Sequence, residues 1–327
     1  MKKNKGSKRS VLILGGAGFI GSHLALKFHE EGCNVTVIDG LLPKTGGRIE
    51  NLQPILNKIN FFQSEIEKFK NLDGLIGKSD TIIDCMATTS HLSANENPLY
   101  DLKLNVSSHL HLINQLKHHP DKLVIYLGSR AQYGNPKHST ITEETPMVPE
   151  DIQGAHKLCA ESHFRIFSKI CGLHVISLRI PNCFGPHQPF DGEDVGLVGN
   201  FIRDLLGHKT IDLFRGNRWR TILYVKDLAQ VVFRLSQKPS RGFRPFVLAG
   251  IRIRIEQLVK TLIRTMGIGS YTIKAMPKKI KAIEMGNAVV DDSELKVFIG
   301  GIQTTDLVTG LKQTINYFRD RYRDQTV

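Results

Sequence analysis

A doubly wound parallel α/β sheet with a smaller C-terminal lobe is the fold class this sequence predicts, on three observations. The apolar stretch Val11 to Leu14 runs directly into a glycine-rich turn and then into residues spaced as on a helix. Apolar stretches of strand length then alternate with helix-length amphipathic stretches as far as residue 180. At 327 residues the chain can also bury a large core, as one big α/β domain or one with an appendage.

The first stretch organises the remainder. Val11 to Leu14 is apolar throughout, as a strand covered on both faces requires. Gly15, Gly16 and Gly18 form the turn, and Ile20, Leu24 and Phe28 recur at helical spacing. Gly16-Ala-Gly18-Phe19-Ile20-Gly21 satisfies the dinucleotide fingerprint, whose glycines allow a tight turn, backbone approach to a pyrophosphate and close helix–strand packing. The helix start behind it offers unpaired N–H groups and a positive dipole end to phosphates. Gly32 stops that helix, Asn34 to Ile38 form the second strand, and Asp39 falls where a carboxylate meets a ribose 2′-hydroxyl. A carboxylate there repels a 2′-phosphate, so NAD is favoured over NADP, with Arg48 the nearby residue of opposite tendency.

The following elements are read in order. Leu41 to Gln53 holds a Pro and two adjacent glycines and is a loop leading into a short helix. Ile59 to Gln63 is a third strand and Thr81 to Met86 a fourth, ending in the small polar run Ala87 to His91. Asp101 to His118 is one long helix, and Leu123 to Leu127 is a fifth strand running into Gly128 to Gly134. Asp151 to Cys171 is the next helix, and Val175 to Ile180 the next strand. Beyond Pro181 the alternation loosens. Phe201 to Leu206 is helical, Ile211 to Phe214 is a strand, and Thr221 to Tyr224 precedes an Asp227-led helix returning to the main sheet. Phe246 to Leu248 is a strand, with helices over Ile255 to Met266 and Leu307 to Tyr322. The expected organisation is therefore a basic tail over 1–10, a dinucleotide-binding domain over 11–180 rejoined by 221–250, and a second lobe from 181–220 and 251–327. In such sheets ligands lie beyond the carboxyl ends of the strands, which puts Thr88 to His91 and Ser129 to Tyr133 at the chemical edge.

Composition excludes several classes. The net charge of +13 comes from dispersed Lys and Arg, apart from the N-terminal tail and Lys274 to Lys281, and neither stretch is interleaved with aromatics. An anionic small-molecule substrate explains the charge more simply than nucleic acid. No apolar run reaches the roughly 18 residues a membrane span needs, and the basic start lacks the apolar core of a secretory signal. Five cysteines, an odd number without a Cys-x-x-Cys pair, fit a reducing cytoplasm. His109, His111, His118 and His119 share a helix without acids or Cys beside them and read as exposed, so no metal site is expected.

Beyond the glycine turn, Asn105-Val106, Leu178-Arg-Ile-Pro-Asn-Cys-Phe-Gly-Pro186 and Arg220-Thr-Ile-Leu-Tyr-Val-Lys-Asp227 resemble the extended short-chain dehydrogenase/reductase family, the NAD-dependent nucleotide-sugar epimerases, dehydratases and reductases. The resemblance runs essentially end to end and implies a Rossmann fold. It also implies NAD contacts from Gly15, Gly16, Gly18, Phe19, Ile20, Gly21, Asp39, Ala87, Asn105 and Lys157, and substrate contacts from Ser129, Asn182, Asn200 and Arg220. Arg offers a planar fork and Asn a neutral donor to a sugar-nucleotide diphosphate. The helices over Asp101–His118 and Asp151–Cys171 correspond to those that form a four-helix interface in relatives, which implies a homodimer; Leu102, Leu110 and Ile113 suit either that face or the sheet.

Catalysis in this family uses a Ser or Thr, a Tyr and a Lys four residues after the Tyr. Ser129 and Lys157 fill the first and third places, but the second is Gln153. An amide donates or accepts hydrogen bonds and is no base at neutral pH. A proton carrier must come from elsewhere: His91 and His187 are the candidates, with His156, Tyr133 and Cys183 less suited. Arg130 and Ala131 stand where dehydratases carry an acid pair, which argues against water elimination. The expectation is therefore NAD-dependent oxidation or epimerisation at C4 of a nucleotide-diphosphate sugar, in the cytoplasm and feeding surface polysaccharide synthesis. The alternatives are a keto-sugar reductase and a catalytically silent binder of NAD and nucleotide sugar.

Overall fold

The structure, a computed structural model, describes residues 8–136, 140–189, 196–216, 218–276 and 287–324. Residues 1–7 of the basic tail and residues 277–281 of the second basic stretch lie outside them. Arg9, at the described edge of the tail, donates from its guanidinium to Ser236 O at 2.5 Å.

Seven parallel strands make the main sheet. Strand β1 (Ser10–Leu14) leads through α1 (Phe19–Glu30) to β2 (Asn34–Asp39) and β3 (Asn60–Gln63). Helix α2 (Leu72–Lys78) then returns the chain to β4 (Thr81–Asp84) on the other side of β1, so the crossover direction reverses between β1 and β4. Next come α3 (His91–Glu96), α4 (Pro98–Leu102), a π-helical turn over Lys103–Ser107, and α5 (Ser108–Leu116). The single long helix expected over 101–118 is thus interrupted. In the π turn Asn105 swings inward and donates to Thr88 O at 3.0 Å and to Asp101 at 2.9 Å. Strand β5 (Leu123–Ser129) and the short β6 (Thr140–Ile141) precede α6 (Ile152–Cys171), capped by Asp151 accepting from Gly154 N at 2.7 Å. Strand β7 (His174–Ile180) completes this half.

A single residue, Pro181, separates β7 from β8 (Asn182–Phe184), which opens a second sheet. Helix α7 (Leu197–Leu206) and β9 (Ile211–Phe214) follow, then β10 (Trp219–Tyr224), α8 (Val225–Ser236), β11 (Phe243–Val247), β12 (Ile251–Arg254) and α9 (Ile255–Met266). The chain ends with β13 (Tyr271–Lys274), β14 (Val289–Val290), α10 (Ser293–Ile299) and α11 (Leu307–Asp324). The main sheet runs β11-β7-β5-β4-β1-β2-β3, and β12-β10-β8 form a separate three-stranded sheet. Residues 221–224, expected with the segment returning to the main sheet, therefore belong to the small one; the return begins with α8. Leu228, Val231 and Val232 of α8 pack against Leu24 and Phe28 of α1.

The core follows the patterning. Leu12, Ile13 and Leu14 are fully buried in β1, an interior strand, while Ile202, Ile222, Leu258, Leu262 and Ile315 form the core of the second lobe. A buried polar network underlies the end of β5. Arg179 pairs with Glu161 at 2.5 Å and donates to Tyr133 Oη at 2.5 Å and Glu143 O at 3.0 Å, and Gln132 donates to Glu161 at 2.7 Å. Each of these groups is satisfied, which is what makes burial of the charge tolerable.

Candidate active site

A cleft of about 720 Å³ opens beyond the carboxyl ends of β1, β2, β4 and β5 and extends across to the small sheet. Its floor is the glycine turn. Gly15 has φ +74°, and a Cβ on Gly21 would lie 2.1 Å from Gly15 O and 2.7 Å from the Gly16 Cα. Only glycine permits α1 to start this close to β1. No side chain caps α1 and its first turn holds no acid, so its end presents backbone N–H groups to the cleft. These features fit a dinucleotide pyrophosphate. Gly21→Ala is expected to cost about 1–3 kcal/mol of stability and to weaken NAD binding at least about tenfold, read by thermal melts and titration calorimetry.

Gly15, Gly18, Phe19, Ile20 and Gly21 all line the cleft, and Gly16 does not: its Cα faces Val37, whose side chain a Cβ would meet at 2.7 Å. Its role is packing. Asp39 lines the cleft while its carboxylate accepts from Ala17 N at 2.9 Å and Leu41 N at 2.8 Å. Burial pushes this carboxyl up, against those backbone donors. Lone-pair capacity remains for a ribose hydroxyl. Ala87 reaches the cleft, whereas Asn105 is fully buried behind it and acts on the Thr88 carbonyl instead.

Ser129, Gln153 and Lys157 come together on the same wall. Ser129 caps the turn Arg130–Tyr133: its Oγ accepts from Ala131 N at 3.1 Å, and its N–H donates to Gln132 Oε1 at 2.7 Å. Lys157, one helical turn after Gln153, donates to Leu127 O at 3.3 Å and Met86 O at 3.4 Å. Burial pulls its ammonium below the ordinary lysine value, opposed by Asp84, Cys85 and Asp101. Gln153 is buried, and its Oε1 has no partner among the described residues.

His91, at the start of α3, also lines the cleft, and its Nδ1 lies 2.6 Å from Asp151 Oδ2. Burial alone would raise the Asp151 pKa; the His91 hydrogen bond and charge outweigh it and hold the carboxyl below its usual range. Asp151 was read from the sequence only as a helix start. The signal for its second role, a histidine 60 positions earlier, is not local.

The other candidate proton carriers are corrected by their positions. His187 sits off the cleft, bonded to Ser22 Oγ at 2.9 Å and stacked on His23 at 4.6 Å. His156 pairs with Asp101 at 2.6 Å. Tyr133 is buried in the Arg179 network, its phenol pushed up to about 12 by burial. Cys183 does line the cleft, but burial lifts its thiol to about 12. His109, expected to be exposed, is fully buried against Asp84 at 2.6 Å. Among the described residues no cluster of three or more metal-ligating side chains occurs.

On the opposite wall stand Asn182 of β8, Asn200 of α7 and Arg220 of β10, joined by Arg218, which the sequence reading missed. Asn200 accepts from Arg203 at 2.8 Å, and Arg220 donates to Trp219 O at 2.8 Å. Arg130 and Ala131 lie outside the cleft.

A strand–glycine turn–helix crevice at a reversal of strand order, facing a wall of Arg and Asn, defines a dinucleotide-binding α/β protein with an adjoining site suited to anions. Residues 11–249 match the NAD dependent epimerase/dehydratase family, and the chain belongs to it. UDP-glucuronic acid decarboxylase 1 of Xenopus tropicalis is 28% identical over 330 residues, covering 97% of this chain and 74% of that protein. UDP-glucose 4-epimerase of Mycolicibacterium smegmatis is 25% identical over 317 residues, covering 95% and 99%. The crystal structure of UDP-glucose 4-epimerase from Thermotoga maritima with UDP-glucose superposes with a TM-score of 0.85 at 26% identity, covering 96% of this chain and 99% of that one. No helix among the described residues is long and apolar enough to cross a membrane.

Proposed function

We propose that this protein carries out NAD-dependent oxidation or epimerisation at C4 of a nucleotide-diphosphate sugar. The observation that carries the reading is the continuity of one cleft, from the glycine turn past Ser129 and Lys157 to Arg220 and Asn182. The relatives above, named for UDP-sugar chemistry, support it. In this reading the main-sheet lobe, residues 11–180 with the α8–β11 return, holds NAD, and the small-sheet lobe holds the nucleotide sugar.

Gly15, Gly18 and Gly21 admit the pyrophosphate, Asp39 accepts from the adenosine ribose, and Lys157 donates to the nicotinamide ribose. Bound NAD supplies the hydride acceptor for C4. Ser129 hydrogen-bonds the C4 hydroxyl, Arg220 and Asn182 hold the diphosphate, and Asn200 adds an amide beside them. His91 takes the hydroxyl proton, and Asp151, 2.6 Å from its Nδ1, orients the ring and stabilises the imidazolium. Gln153 supplies a hydrogen bond in place of a phenol.

The test is to incubate the protein with NAD and a panel of UDP-sugars, following absorbance at the reduced-nicotinamide band and the C4 epimer by proton NMR. A sugar-dependent signal is expected, and silence across the panel overturns the enzyme reading. The buried amide at Gln153 favours one rival, a binder of both ligands without turnover, which the same panel separates by calorimetry. We further propose a homodimer through the face bearing Leu99, Leu102, Ile166 and Ile170, all exposed, and a cytoplasmic role in surface polysaccharide synthesis.

A further inference from the structure

Lys157 is 4% exposed. A buried ammonium requires opposite charge or strong acceptors nearby, yet its direct partners are two backbone carbonyls at 3.3 and 3.4 Å. The titratable groups facing it come from three elements: Asp84 and the adjoining Cys85 at the end of β4, Asp101 of α4, and Tyr126 of β5, whose ring centroid is 5.2 Å from the ammonium. Burial pushes the Cys85 thiol and the Tyr126 phenol well above their ordinary values, so both are uncharged at neutral pH. Gln153, one turn before Lys157, is an uncharged amide. The compensating charge is therefore left to Asp84 and Asp101.

Both carboxylates are buried and both are held by an imidazole: Asp84 Oδ2 lies 2.6 Å from His109 Nδ1, and Asp101 Oδ1 lies 2.6 Å from His156 Nδ1. Asp84 Oδ1 also accepts from Met86 N at 3.2 Å, the peptide whose residue gives its carbonyl to Lys157. The Tyr126 ring ties the two ends of this arrangement. It meets His109 edge-on at 5.3 Å, and its hydroxyl donates to Lys157 O at 3.2 Å. Asp101 is completed by Asn105 Nδ2 at 2.9 Å.

We propose that Asp84–His109 and Asp101–His156 are positioning residues for Lys157, two locked carboxylates that keep the lysine cationic and aimed into the cleft. The role of that cation rests on the functional reading above, in which Lys157 donates to a ribose. The imidazole contacts fix where each carboxylate points, so removing His109 frees Asp84 to turn from the lysine even though the imidazole never touches the lysine.

Carbon–nitrogen NMR of labelled lysine side chains tests this in the full chain without ligand, the Lys157 signal being assigned by its loss in Lys157→Arg. Asp84→Asn is expected to lower the Lys157 titration midpoint by about 1–3 pH units and His109→Leu by about one. His109→Gln, which retains an amide N–H for the carboxylate, is expected to restore most of the shift, an outcome that loss of packing alone does not give. Unchanged midpoints in folded Asp84→Asn or His109→Leu overturn the proposal, and so does a His109→Gln midpoint as low as that of His109→Leu. Should Asp84→Asn fail to fold, Asp101→Asn and the two His109 variants decide by the same criterion. Because the readout needs no ligand, failure of NAD to bind would overturn the functional reading and leave this result standing.

Discussion

His91→Ala is expected to lower kcat on the responsive UDP-sugar by about 10²–10⁴-fold, the range that positioned acid–base groups contribute. NAD and sugar-nucleotide affinities should change little, because neither the glycine turn nor the Arg220 wall is touched. Asp151→Asn should fall between the two, since the amide still holds His91 but no longer stabilises its cationic form. The measurement is steady-state kinetics with parallel calorimetry. A His91→Ala enzyme with wild-type kcat would remove His91 from the chemistry. The companion change Gln153→Tyr adds a titratable phenol beside Lys157; a large gain in kcat would show that the His91–Asp151 pair is a weak substitute for one.

Acidification between pH 6.5 and 4 is expected to cost the fold on the order of 5 kcal/mol through two histidines. His23 on α1 and His187 after β8 stack at 4.6 Å, with His23 Nε2 against Pro186 O at 2.9 Å. Burial, with the His187 charge beside it, lowers His23 to about 3; burial, with Arg321 and Lys226, lowers His187 to about 4. The unfolded chain binds these protons near 6.5 while the folded chain refuses them. The unfolded state thus carries more protons throughout the interval, and stability rises with pH there. Their contribution is intact above about pH 6.5 and is lost as pH falls toward 4. Urea midpoints at pH 7 and 4.5 for the wild type and for His23→Leu/His187→Leu check this, the double variant being expected to show the shallower dependence. Equal slopes would rule the pair out as the cause.

What the sequence revealed was whatever depends on neighbours in the chain. The turn Gly15 to Gly21 and the end of β2 at Asp39 are local patterns, and the helix Ile255–Met266 and strand Ile211–Phe214 match their expected bounds. Ser129, Lys157, Asn182 and Arg220, singled out by the family resemblance, line one cleft. The misses share one physical origin, partners brought together only by the fold. His109 reads as exposed in a polar helix stretch because Asp84, 25 positions away, is invisible to periodicity. Asp151 reads as a cap because His91 is not local. The small sheet was missed because β8 is only three residues long and follows β7 after one proline.

That one-proline junction limits how the molecule can move. With β7 in the large sheet and β8 in the small one, Pro181 is a weld, and a second seam is fastened where Ser22 and His23 grip Pro186 and His187. Riveted in this way, the lobes are expected to resist swinging about Pro181, and the gap between Gly21 and Arg220 to keep much of its width when a guest arrives.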